Sequence, residues 1–192
     1  MKDILEFLSQ PIITSLLTLT MGSYLLTWLT ERRSKKDKIR EKALQLFEEV
    51  GSDFNAILSM SYGHIRNSNF KIHKDSPLDV KRAELFTKRF SVRIKSKAFL
   101  GSDEFWQRHE QLTFEIDRLV RLMMSLSDDD DPAEVIKTIR EHQERLAKKW
   151  PFEERPEHSP YPPPSNELVI WVDMIWDRAV WLLGENLDQV LR

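Results

Sequence analysis

Residues 104–126, EFWQRHEQLTFEIDRLVRLMMSL, decide the fold class of this chain. Their apolar residues recur at nearly heptad spacing over about six helical turns. These residues are Phe105, Leu112, Ile116, Leu119, Met123 and Leu126. Such spacing draws one apolar stripe along an α-helix, which a second helix must cover to keep it from water. The stretch therefore predicts a helix that belongs to a helical bundle.

Sequence signals for helix ends lie on both sides of this stretch. Ser76-Pro77-Leu78-Asp79 combines a capping serine with a proline suited to the first helical position, and Asp131-Pro132-Ala133-Glu134 repeats the pattern. Gly101 suits the left-handed residue that ends a helix. The helix predicted between Ser76 and Gly101 carries its apolar residues at Val80, Ala83, Phe86 and Phe90.

Two further helices complete the predicted bundle. An upstream helix presents an apolar stripe of Ala43, Phe47, Val50, Phe54 and Ile57. Leu168–Leu183 is apolar over much of its surface, as expected of a central helix, and the segment 151–164 before it contains six prolines and predicts an extended loop. The sequence thus predicts an all-α fold in which residues 43–192 form a cytosolic bundle of about five helices.

The N-terminal region predicts a membrane segment. Residues 11–30, PIITSLLTLTMGSYLLTWLT, carry no charged side chain, and twenty helical residues span about 30 Å, the thickness of a bilayer core. Basic residues follow in 31–42. We therefore expect a tail and single transmembrane helix in 1–30 and a basic juxtamembrane neck in 31–42. The positive-inside rule then places the N-terminus outside a bacterial inner membrane and the bundle in the cytoplasm.

Small and hydroxyl residues share one face of this segment, at Thr14, Ser15, Thr18 and Gly22. Small residues at four-residue spacing let two helices approach closely, so we expect a homo-oligomer whose inward-facing hydroxyls line a narrow pore. The alternative is that these hydroxyls bond to their own helix backbone.

Composition excludes several classes of site. The chain has no cysteine, which excludes disulfide scaffolds, cysteine-ligated metal centres and thiol catalysis. The net charge of −2 argues against a DNA-wrapping protein. Glycine-rich phosphate loops and nucleophile elbows are missing from the sequence, so we expect no cofactor and no metal.

Two basic clusters are candidate binding surfaces. The first, Arg32, Arg33, Lys35 and Lys36, is suited to anionic lipid headgroups of the bilayer. The second lies in the predicted helix 81–97 and is opposed in sequence only by Asp79 and Glu84. Its cations are Lys81, Arg82, Lys88, Arg89, Arg93, Lys95 and Lys97. Lys88, Arg89 and Arg93 are the candidates for RNA, a nucleotide or a partner protein's acidic face, and the alternatives are a solvated face or pairing with the acidic residues 128–131.

Other titratable residues favour structural roles. Asp173 and Asp177 share a helix face and could hold a metal or a proton, but the adjacent Arg178 favours an ion pair. His109 and His142 lie on or near apolar stripes without a second ligand at metal-binding spacing, so we interpret them as packing residues.

One enzyme-like pattern occurs in residues 66–73, RNSNFKIH. Arg66 and His73 have an Arg-x6-His spacing with a polar residue after the arginine, which resembles the catalytic pattern of the HEPN superfamily of helical ribonucleases. The resemblance implies a composite site between two protomers of a metal-independent endoribonuclease. In it Arg66 would stabilise the phosphate and His73 would position or deprotonate the ribose 2′-hydroxyl. The alternative is a solvated loop.

The whole architecture also resembles the HEPN-like membrane-pore accessory proteins of type VI-B CRISPR systems. That resemblance implies a ring-shaped oligomer and a partner protein from the same antiphage system. The leading expectation is therefore a membrane-anchored, non-enzymatic pore-like or scaffold effector. A tethered ribonuclease and a sensor of an anionic ligand are the alternatives.

Overall fold

The computed structural model describes the backbone of residues 11–67, 72–126, 130–150 and 164–191, and side chains within these ranges except those of 11–22, 24 and 25. All regular structure in these ranges is α-helical, which confirms the predicted all-α class. The helices are α1 (Pro11–Arg66), α2 (Pro77–Leu100), α3 (Glu104–Ser125), α4 (Pro132–Lys149) and α5 (Pro164–Leu191). The chain divides into two compact units at the boundary between Lys42 and Ala43.

The predicted helix ends are confirmed. The Ser76 side chain accepts a hydrogen bond from the Asp79 amide at 3.2 Å, and Pro77 is the first residue of α2. Gly101 follows α2 with a φ of 71°, a left-handed conformation in which a Cβ would be strained. The Asp131 side chain caps α4 by accepting from the amide of Ala133 at 3.0 Å. These local bonds satisfy amides that a helix end leaves unpaired.

The core of the second unit forms where all five helices bury apolar residues against one another, with Leu78, Leu85 and Val92 as the contribution of α2. The predicted stripe of residues 43–57 is buried, as is that of α3 except for Leu126, which is half-buried just after the helix, and Trp171 of the predicted central helix is fully buried. Phe47 of α1 meets Phe105 of α3 with ring centroids 5.3 Å apart. The helices α1 and α5 approach closely, since a Cβ on Gly51 would lie 3.2 Å from Leu183. The bundle prediction is thereby confirmed in its helical content.

The transmembrane prediction is wrong for the part of the chain that the structure describes. Over those residues, no helix combines the length and the apolar character that crossing a bilayer requires. Described side chains of α1 begin at Ser23, and from Glu31 onward charged residues recur too often for a long apolar run. The expected location in the inner membrane, with a single pass and an external N-terminus, depended on that span and is therefore wrong as well.

Hydroxyl groups in this region bond to their own helix. Thr27 donates to the carbonyl of Ser23 at 2.9 Å, and Thr30 donates to that of Leu26 at 2.7 Å. These bonds leave neither hydroxyl in need of a partner helix, as in the alternative interpretation above.

The apolar face predicted for α2 is also largely wrong. Val80, Ala83 and Phe90 are exposed, whereas Leu85 and Val92 are buried. Both sets have helical spacing, so periodicity alone does not choose between them. The choice is made by acidic residues on α1 and α3, which bind the cations beside Leu85 and Val92.

Candidate functional site

An exposed heptad stripe runs along α2 and is the most distinctive surface of the described structure. We call it the α2 seam: Val80, Ala83, Thr87, Phe90, Ile94 and Lys97, all of them exposed. Val80, Phe90 and Ile94 are 50%, 61% and 72% exposed. The alternating steps of three and four residues are those of the a and d positions through which coiled-coil helices pack. Apolar residues with this register ordinarily face another helix.

The cations beside the seam on its α1 side are neutralised within the chain. Lys88 places its ammonium 2.8 and 2.9 Å from the two carboxylate oxygens of Asp53, and Lys81 donates to the same carboxylate at 3.3 Å. One heptad further, Lys95 pairs with Glu49. Because Asp53 is largely buried, these pairs fix the rotation of α2 about its axis.

On the α3 side, Arg82 is held by two carboxylates. It donates to Asp79 at 2.7 and 2.9 Å and to Asp117 at 2.5 Å. The hydrogen bond from Arg82, assisted by one from the amide of Asp75, lowers the pKa of Asp79 below its usual value. Asp117 also accepts from Arg121 at 2.8 Å. This network ties α2 to α3 with its charges balanced.

Arginines further along the same side lie over aromatic rings. The guanidinium of Arg89 is 3.8 Å from the ring centroid of Phe86, and that of Arg93 is 5.8 Å from the ring of Trp106. Phe86 in turn meets Phe114 of α3 edge to face at 5.7 Å. The seam is therefore bordered on its α3 side by an aromatic and guanidinium surface.

These contacts neutralise much of the positive charge predicted for residues 81–97. Four of its seven predicted cations, Lys81, Arg82, Lys88 and Lys95, have carboxylate partners in the chain. Three of the acids, Glu49, Asp53 and Asp117, are distant in sequence, so inspection of residues 79–97 missed them. Binding of an anionic ligand by Arg89 and Arg93 stays a prediction, while Lys88 is engaged by Asp53.

Arg66 and His73 lie in separate settings of the described structure. Arg66 ends α1 with its guanidinium 4.8 Å from the ring centroid of Tyr62, whereas His73 is exposed just before α2. Among the described contacts, none joins the two side chains. Arg66 also borders a cavity of about 570 Å³. Its other lining residues are Tyr62, Ile65, Ser165, Asn166, Val169 and Ile170. The ribonuclease pattern stays a prediction.

The N-terminal candidates fall into two groups. The surroundings of Thr14, Ser15, Thr18 and Gly22 lie outside the described part of the structure. The basic residues Arg32, Arg33, Lys35 and Lys36 are exposed along α1. Arg32 lies over the ring of Trp28 at 5.3 Å, and lipid contact by this cluster stays a prediction.

The two histidines pack against aromatic rings, as expected. His109 is 1% exposed and stacks on Phe54 at 5.2 Å, and burial lowers its pKa from 6.5 to about 4. His142 stacks on Trp171 at 4.7 Å, and burial lowers its pKa as well. Neither belongs to a metal-binding cluster among the described residues.

The acidic residues of α5 lie close enough to Arg178 for the charge of Asp177 to act on the pKa of that arginine, and an ion pair between them stays a prediction. The buried Arg178 donates to the carbonyl of Met174 at 2.8 Å. Asp173 and Asp177 are exposed and border a cavity of about 410 Å³ together with Ser59, Tyr62 and Trp176. Partial burial, and then the charge of Asp177, raises the pKa of Asp173.

Comparisons of the chain with protein-family models, curated protein sequences and solved structures found no match. The HEPN resemblance thus stays a prediction.

Proposed function

We propose that this chain is a non-enzymatic helical scaffold that works by docking a partner helix on the α2 seam. The observation that carries the proposal is the heptad register of exposed apolar residues, above all Phe90 and Ile94. Scattered exposed apolar side chains are ordinary in folded proteins, but four exposed apolar residues on the a and d positions of one helix, Val80, Ala83, Phe90 and Ile94, over about four helical turns are the pattern of a helix-packing face.

The electrostatics of α2 support this use. The cations nearest α1 and α3 are paired with Asp53, Glu49 and Asp117, so a docking helix need not supply counter-charges for them. Burying an exposed valine, isoleucine or phenylalanine contributes roughly 1.5–3 kcal/mol for complete burial. Val80, Phe90 and Ile94 therefore offer most of the favourable free energy for docking.

A fluorescent model helix tests this proposal on the full chain. The probe carries leucine at its a and d positions and balanced lysine and glutamate elsewhere, and its binding is followed by fluorescence anisotropy. The test variant is Phe90→Ser with Ile94→Ser. The matched control is Val180→Ser, because Val180 is an exposed apolar residue of α5, at 59% exposure.

We expect the probe to bind the unmodified chain and the Val180→Ser control alike, and to lose at least tenfold in affinity for the double variant. Circular dichroism of each variant shows whether its helical content is intact. A probe that fails to bind the unmodified chain, or binds the folded double variant equally well, would overturn the docking function.

A further inference from the structure

Resting on the proposed docking function, we infer that the helix received by the α2 seam is α2 of a second copy, running antiparallel. In this register Val80 faces Lys97 of the second copy, Ala83 faces Ile94, and Thr87 faces Phe90. Two-fold symmetry repeats the same three contacts in reverse. Every residue of the seam then has a partner, and no position is left over.

Side-chain size supports this register. The bulky residues Phe90 and Ile94 lie opposite Thr87 and Ala83, the two smallest side chains of the seam. Large residues placed over small ones let two helices interdigitate at close-packed density. The aliphatic stem of Lys97 covers Val80 while its ammonium reaches water.

A parallel pair of α2 helices fits poorly. It would place Phe90 on Phe90, Ala83 on Ala83 and Lys97 on Lys97, so bulky layers would hold the small layers apart. It would also bring two like charges into one core layer and align the two helix dipoles. The antiparallel arrangement removes each of these conflicts.

Residues flanking the seam are compatible with the antiparallel pair. On the α3 side, position g brings Arg93 toward Phe86 of the second copy, next to the exposed edge of Phe114. On the α1 side, position e brings Glu84 toward Ser91 of the second copy. Neither flank places two charged residues directly opposite each other, and Arg93 approaches an aromatic ring whose other contact is the guanidinium of Arg89 of the same copy as that ring.

The natural absence of cysteine allows a direct test of the register by disulfide formation. Two single variants of the full chain are made, Ala83→Cys and Ile94→Cys. In the antiparallel pair these positions face each other within disulfide range, because a–d contacts bring Cα atoms close. Two copies of position 83, by contrast, are offset by eleven residues, or about 16 Å along the helix, which a disulfide cannot span.

We expect oxidation of the mixed variants to give a cross-linked heterodimer, and oxidation of either variant alone to give little dimer. Labelling one variant with ¹⁵N identifies the heterodimer by mass spectrometry. Val180→Cys, on another helix, is the control that reports random collision. In parallel, sedimentation of the unmodified chain should show a concentration-dependent dimer that Phe90→Ser with Ile94→Ser converts to monomer.

Contrary outcomes separate this inference from the docking function. Disulfide-linked homodimers of each single variant, formed in place of the heterodimer, would overturn the antiparallel register in favour of a parallel pair. A dimer that survives the double serine variant would place self-association on another surface. A chain that is monomeric at all concentrations but still binds the model helix would overturn the second copy as partner while leaving the docking function standing.

Discussion

The buried histidine of α3 makes the stability of this protein depend on pH in a defined window. His109 is enclosed by Phe54, Phe105 and Trp106, with ring centroids 5.2, 6.5 and 6.0 Å away. Its Nδ1 atom is buried without a hydrogen-bond partner. Desolvation lowers its pKa to about 4, although the nearby Asp53 carboxylate acts in the opposite direction.

The difference between the pKa of His109 in the folded chain and in the unfolded chain sets the sign and size of the change in the free energy of unfolding. The unfolded chain, with an ordinary histidine pKa of 6.5, takes up a proton before the folded chain does. The free energy of unfolding is therefore unaffected by His109 well above pH 6.5 and falls as the pH drops from 6.5 toward 4. At 1.36 kcal/mol for each pKa unit, the full loss is about 3 kcal/mol.

Urea denaturation at a series of pH values from 7.5 to 4 measures this loss directly. His109→Leu removes the titrating group at nearly constant volume, so its free energy of unfolding should fall less steeply over the same window. The difference between the two curves isolates His109 from carboxylates that titrate in both proteins. Parallel curves for the variant and the unmodified chain would show that burial does not suppress protonation of His109.

Three further predictions concern the contacts that hold the bundle together. Glu167→Ala removes the carboxylate to which the partly buried Arg140 donates at 2.8 Å. It should lower the free energy of unfolding by about 3 kcal/mol in urea titrations. The control Glu185→Ala, at an exposed residue, should change it by under about 0.5 kcal/mol. Asp53→Ala removes a carboxylate that two α2 lysines share, although Lys81 keeps Glu84, and should cost about 2 kcal/mol in the same assay; an unchanged midpoint would mean that the pairs with Asp53 contribute nothing. Gly101→Ala forces a Cβ into a left-handed conformation and should lower the stability by about 1 kcal/mol, measured as a drop in Tm.

Local signals in the sequence predicted the helices well. The caps at Ser76 and Asp131 and the ending glycine at position 101 act through neighbours within four residues, so their geometry is encoded locally. The stripe of α3 was equally predictable, because its strong amphipathic character leaves only one face to bury.

The rotation of α2 could not be predicted in the same way. Its two apolar stripes are comparable, and the buried one is selected by Asp53 and Asp117, which lie 28 or more residues away from their partners. The same ion pairs determine the candidate site, because the α2 seam is exposed only when the opposite stripe, with Leu85 and Val92, is buried.

The double use of Asp53 has a consequence for how this sequence can vary. Lys81 and Lys88 occupy successive heptad positions and both reach the same carboxylate, so replacement of either lysine leaves the acid neutralised by the other. If position 53 changes, Lys81 keeps its pair with Glu84 at 3.2 Å, whereas Asp53 is the acid that Lys88 contacts among the described residues. Mutational tolerance should therefore be uneven across this contact: in a library of functional variants, single substitutions at 81 or 88 should be common, simultaneous ones rare, and position 53 nearly fixed.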